Sequence, residues 1–231
     1  MGVERLETVE ELLEREWTVD GIPVLSARVS LPKLKAPEMD RHLRRIDRYY
    51  RQFARSYLRY CGRFLLPRAQ AEFRQAAAAG APLPHFTAAM DYRITWNEGG
   101  VWSLYTDARE RGGLPLTIRR GDTWDLRTGT PIPLSAFLPA RTPVRRLLPD
   151  LAAQEIRRQQ SAGVAAYRED WQRRLRRELC TGNYYLTPEG ICFFYQMYAL
   201  APAAEGTPVF CLPWGAHGTA APRTPEPEEA G

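Results

Sequence analysis

The chain has 231 residues, a length that suits one large domain or two small ones. Apolar residues make up 44 % and charged residues 26 %, which excludes disordered, collagen-like and disulfide-scaffold classes. The net charge of +5 conceals an asymmetry: residues 1–20 hold seven acids against two arginines, whereas residues 41–76 hold ten arginines against Asp47 and Glu72.

Residues 4–16 read as a short acidic helix. Asp20-Gly21 then separates Glu16–Val19 from Ile22–Leu31, and a D-G pair between β-rich runs predicts a hairpin. In the second run Leu25, Ala27, Val29 and Leu31 share one face, with Val24 out of phase. A long helix follows, starting near Pro37 and Glu38. Leu43, Ile46, Tyr50, Phe53, Tyr57, Tyr60 and Phe64 recur in steps of three and four and form one apolar stripe. Pro67 should kink or end this helix, and Gly80 should stop the alanine run behind it. Arg41, Arg44, Arg48, Arg51, Arg55 and Arg59 form a second stripe, about 120° round from the first.

The middle of the chain is β. Phe86, Ala88, Met90, Tyr92, Ile94 and Trp96 alternate with smaller or polar residues, Asn97–Gly100 turns, and Val101–Asp107 returns. A third strand runs from Leu116 to Leu126, and Leu134–Leu138 fits a single helical turn. Residues 143–179 are helical again, broken around Ser161-Ala162-Gly163. Three short strands then follow at Tyr184–Leu186, Ile191–Tyr195 and Val209–Leu212, the first two joined by a tight turn at Pro188-Glu189-Gly190. Residues 215–231 lack an apolar pattern and read as a disordered tail.

The familiar catalytic motifs are absent: there is no G-x-G-x-x-G, Walker A, G-x-S-x-G or H-E-x-x-H. His42, His85 and His217 fall in unrelated segments, so neither a catalytic set nor a metal site is expected, and no cofactor. Asp122 and Asp125 flank Trp124 and read as turn and strand acids rather than a catalytic pair. No run reaches the ~18 apolar residues of a membrane helix, and MGVERLETVEELLEREW lacks a signal-peptide core. The four cysteines, Cys61, Cys180, Cys192 and Cys211, lack C-x-x-C spacing and read as reduced thiols in a cytoplasmic protein. Two features suit binding. The stripe around Arg48, Arg51 and Arg55 would suit a phosphate backbone, and Trp96 and Trp102 bracket a hairpin tip.

The run from Asn183 to Pro202, with Gly206 and Val209–Trp214, resembles the signature of a bacterial domain-of-unknown-function family. That family supplies the extracellular sensor domain of the RsiV-type anti-sigma factor and an accessory domain of the PdaC-type peptidoglycan deacetylase. Trp124–Gly129 followed by Pro133–Leu138 is similar to its "D-L-x-T-G … L-x-D-L-F" stretch. The resemblance covers about residues 17–214 and implies an α+β fold and, in the anti-sigma relatives, recognition of lysozyme. It departs where the family places a histidine after a Gly-Gly-Ala turn, since Gly112-Gly113 is here followed by Leu114-Pro115. The deacetylase chemistry belongs to a separate domain and is not implied for this chain.

These readings combine into one α+β domain over residues 17–214, an antiparallel sheet of hairpins covered by two long helices, flanked by an acidic segment 1–16 and the tail 215–231. The function they imply is non-catalytic: binding of a protein or cell-envelope-type ligand, with Trp96, Trp102, Tyr198, Arg48, Arg51 and Arg55 as candidate contacts. The alternative is a nucleic-acid binder acting through the arginine-rich helix 41–63.

Overall fold

The computed structural model describes residues 5–35 and 40–222. Strands β1 (Glu7–Val19) and β2 (Ile22–Lys35) form the expected hairpin, closed by Asp20 and Gly21 at φ 51° and 78°. The acidic segment is therefore strand, not helix. Glu11, Leu13, Trp17 and Val19 are half-buried on one face, while Glu10, Leu12, Glu14 and Glu16 lie exposed on the other. Cross-strand pairing with the apolar β2 overrides the helical preference of Glu and Leu.

Helix α1 (Arg41–Tyr60) starts at Asp40, whose carboxylate accepts the backbone N–H groups of His42 and Leu43 at 2.8 Å each. The predicted start at Pro37 and Glu38 lies outside the described residues. Beyond α1 the chain makes a π-helical turn (Cys61–Leu65) and continues as α2 (Leu66–Ala78), with Pro67 absorbed in the first turn of α2. The π turn resets the phase of the apolar stripe. Leu43, Ile46, Tyr50 and Tyr57 are buried as expected, but Phe53 and Tyr60 are half-buried and Phe64 is 57 % exposed. Ala54, Cys61, Leu65, Ala69 and Phe73 fill the core instead. Steps of four residues drift round a 3.6-residue helix, and a turn with one extra residue corrects the drift.

This helical run is a crossover. It returns the chain so that β3 (Phe86–Glu98) pairs parallel to β2, in register from Leu25 with Phe86 to Val29 with Met90. The sheet is thus not purely antiparallel. Strands β4 (Val101–Arg111), β5 (Leu116–Asp125) and β6 (Thr130–Pro131) follow, and the six strands pair in the order β1-β2-β3-β4-β5-β6.

The described residues divide into two compact units. One comprises residues 7–92 and 106–118 and holds the β1–β2 hairpin and the crossover helices. The other comprises residues 5–6, 93–105 and 119–222. Its helical stretch is shorter than predicted: α3 (Val144–Ser161) ends before Gly163 at φ 65°, and α4 (Trp171–Arg177) spans only seven residues. One long helical run and two shorter helices therefore replace the two long helices.

In that second unit β7 (Tyr184–Thr187), β8 (Gly190–Phe194) and β9 (Val209–Pro213) form an antiparallel sheet with β8 in the centre. Every residue of β8 is buried, as its two-faced apolar pattern predicts. Ile191 and Phe193 join a core with Trp171, Leu148, Tyr184 and Phe210, while Cys192 and Phe194 join Tyr185 on the opposite face. The β5 backbone passes so close to β7 that a side chain at Gly121 would meet the carbonyl oxygen of Tyr184 at 1.9 Å. Ser103 and Thr123 share a buried 2.7 Å hydrogen bond, and the Ser103 hydroxyl accepts the Leu186 N–H at 2.9 Å.

Two further expectations change here. Cys192 and Cys211, directly opposite in the β8–β9 register, are joined by a disulfide, so they are not reduced thiols. Four cysteines scattered in sequence hid a pair that strand register brings together. Residues 215–219, expected to be disordered, form a turn: Thr219 is buried and its hydroxyl donates to the carbonyl oxygens of Pro213 and Ala216. The rest of the predicted tail beyond residue 222 lies outside the described residues.

Candidate functional site

The exposed face of α1 is built by simple periodicity. Its core side faces β2, so residues half a turn away stand in solvent: Arg41, Arg45, Arg48, Arg55 and Arg59, continued by Arg63 in the π turn. The only acid in α1 is Asp47, and it points inward. Its carboxylate is 2 % exposed, accepts the Leu34 N–H at 3.4 Å and pairs with Arg51 one turn on. Arg51 is thereby committed to an internal ion pair, whereas Arg48 and Arg55 stand exposed on the outer face. Aromatic rings run along the shoulder of the helix. Tyr49 stacks on Phe53, Tyr57 on Tyr60, and the Arg63 guanidinium lies 5.4 Å from the Phe64 ring. A row of guanidinium groups with its one acid turned inward attracts anions, since each bound anion lowers the mutual repulsion of the row.

The three predicted aromatic contacts fare differently. Trp102 is fully buried and is a core residue, because β4 is covered on both faces around it. This removes it from any ligand surface. Trp96 is half-buried, donates its indole N–H to the Glu98 carbonyl at 3.1 Å and meets Trp214 edge-on at 6.0 Å. Tyr198 lies half-buried between β8 and β9 with φ at 68°. Asp122 and Asp125 each engage a neighbouring arginine, Arg120 at 3.1 Å and Arg127 at 3.4 Å, and do not form a carboxylate pair.

Sequence reasoning missed one juxtaposition. The parallel register sets Ser26 opposite Thr87, which brings the Ser26 hydroxyl within 2.9 Å of His85 Nε2. Glu16 Oε2 lies 3.4 Å from the same hydroxyl, at the side of an open cleft of about 600 Å³ lined by Glu14, Arg28 and Thr87. The carboxylate addresses the serine rather than the imidazole, so it does not hold the histidine tautomer that a serine nucleophile needs. Only a strand-pairing prediction could have found this pair. Among the described residues, no three His, Cys, Asp or Glu side chains are grouped to hold a metal ion, and no helix is long and apolar enough to cross a membrane.

Behind the arginine face, Tyr57, Tyr60 and Cys61 lie near Glu110. Burial pushes the Cys61 thiol up to about 12, with the Glu110 charge adding to the effect. Burial and a hydrogen bond to Glu110 push Tyr60 up to about 12 as well. Both groups stay neutral in the fold while the unfolded chain releases their protons earlier, so stability is full below about pH 9 and falls as pH rises toward 12. Melting curves across that window should show this loss, and Cys61→Ala should make it shallower. An unchanged slope would mean that the thiol is not protected.

Residues 137–215 match the family model described as "Protein of unknown function (DUF3298)". That match contains the Asn183–Trp214 run singled out in the sequence. In fold the chain is similar to the crystal structure of a DUF3298 family member from Bacteroides fragilis, with a TM-score of 0.64 at 15 % identity over 92 % of both chains. It is also similar to a DUF3298 family protein from Pseudomonas aeruginosa, with a TM-score of 0.56 at 14 % identity over 91 % of both chains. At this identity the likeness speaks for the fold alone. No curated protein matches the chain.

Proposed function

We propose that this chain is a non-catalytic binding domain that contacts an anionic protein or cell-envelope ligand through the outer face of α1. The observation that carries this reading is the row Arg41, Arg45, Arg48, Arg55, Arg59 and Arg63, exposed together while Asp47 is turned inward. The Cys192–Cys211 bond supports an oxidising compartment rather than the cytoplasm. A relationship to the RsiV-type sensor domain belongs to this proposal and rests on the resemblance carried by the Asn183–Trp214 run.

The test is retention on immobilised inorganic polyphosphate. Arg51 is left in place, because its loss would strand the buried Asp47 carboxylate. Replacing Arg48, Arg55 and Arg59 by Gln should lower the salt concentration at elution and flatten the dependence of affinity on salt. Equal retention of wild type and variant would show that α1 is not the contact face. The second reading, nucleic-acid binding by the same face, rests on the arginines and the neighbouring aromatic rings. The wild type is expected to bind neither duplex nor single-stranded DNA tightly at physiological salt. Sub-micromolar affinity there, lost in the triple variant, would put that second reading in place of the first.

A further inference from the structure

The arginine face does not end in polar surface. At its C-terminal end stand two apolar side chains that the core does not use, Phe64 at 57 % and Leu114 at 84 % exposed. Leu114 is the most exposed large apolar side chain among the described residues. The turn that carries it runs close to Phe86 and Arg68: a side chain at Gly112 would strike the Phe86 ring at 2.2 Å, and one at Gly113 would strike Arg68 Nη2 at 2.1 Å. Arg68 lies one turn beyond Phe64 in the same helical run, its guanidinium 5.6 Å from the Phe86 ring and its Nε donating to Glu72 at 3.0 Å. Phe64 and the Leu114 turn therefore flank one arginine, with Arg63 and Arg59 leading back along the basic row.

We propose that this end of the unit docks on an anionic phospholipid surface, with the arginines meeting headgroup phosphates and Phe64 and Leu114 entering the boundary of the acyl chains. The proposal rests on α1 being the contact face and adds what that face contacts. Charge complementarity selects an anionic occupant. The apolar pair favours the bilayer over a free polyanion, which offers nothing to bury a leucine standing in water. Arginines beside exposed aromatic and aliphatic side chains are also the composition of segments that lie in a membrane interface.

The experiment is co-sedimentation of the full chain with vesicles of phosphatidylcholine alone and of phosphatidylcholine mixed with phosphatidylglycerol. Binding is expected only to the mixed vesicles and should fall as salt rises. Arg59→Gln with Arg63→Gln should weaken it about thirtyfold, and Leu114→Gln roughly tenfold. Leu114→Gln should leave retention on polyphosphate unchanged, and its melting temperature should match the wild type, since the side chain is already in solvent. Equal binding to both kinds of vesicle, or binding to mixed vesicles that Leu114→Gln and Phe64→Gln leave untouched, overturns the proposal. If polyphosphate retention persists while vesicles are not bound, the bilayer assignment alone falls and an acidic protein or another soluble anionic ligand takes its place. Loss of both overturns the α1 reading as well.

Discussion

Phe193→Ala is expected to lower the stability of the chain by about 3 to 5 kcal/mol. Phe193 is 2 % exposed at the centre of β8, paired in register with Tyr184 on one side and Phe210 on the other, its ring 5.6 Å from that of Phe210. Both flanking strands hold their own side chains in place, so the neighbours cannot collapse into the space left behind. Phe194→Ala opens a similar hole on the opposite face, where Tyr185 and the Arg119 guanidinium cover the ring. In a chain of this length a loss of that size moves the melting temperature by roughly 10 °C. Truncation after Trp214 should cost less, about 1 kcal/mol, through the hydrogen bond that Thr219 donates to the Pro213 carbonyl. If both phenylalanine variants melted with the wild type, β8 would not be the central strand of this sheet.

Most of the strands could be read directly, because their apolar patterning is local: β3 alternates at its start, from Phe86 to Met90, and β8 is apolar on both faces. The hairpin turns at Asp20-Gly21 and Gly99-Gly100 adopt positive φ at all four residues, as their composition demands. What could not be read is what depends on partners distant in sequence. β1 has the composition of an acidic helix and becomes a strand only through β2. The direction of β3 follows from the length of the crossover helix, and no local signal states it. Phe53, Tyr60 and Phe64 fit an ideal apolar stripe, yet the π turn moves the core to Cys61 and Leu65. The arginine face was legible as a stripe, but the inward turn of Asp47 and the capture of Arg51 were not, because they depend on the Leu34 N–H supplied by another element. Trp102 looked like a tip residue because its neighbour is a turn, and only the covering of both faces of β4 shows it to be core. The Ser26–His85 contact and the Cys192–Cys211 bond share one cause: both are set by strand register, which the spacing of residues in sequence does not encode.

Replacing Cys192 and Cys211 together by alanine should lower stability by about 3 kcal/mol, the value for a closed loop of about this length. The two residues are 19 apart in sequence, so the bond ties a long connection to its two strands and restricts the unfolded chain most strongly there. A dithiol reductant should lower the melting temperature of the wild type to that of the double variant and leave the variant unmoved. Titration of thiols in the unfolded, unreduced protein should find two, Cys61 and Cys180, rather than four. The first measurement gauges the bond's contribution and the second its existence, so together they separate a weak disulfide from an absent one. Four titratable thiols and no response to reductant would remove the support that the Cys192–Cys211 bond lends to an oxidising compartment.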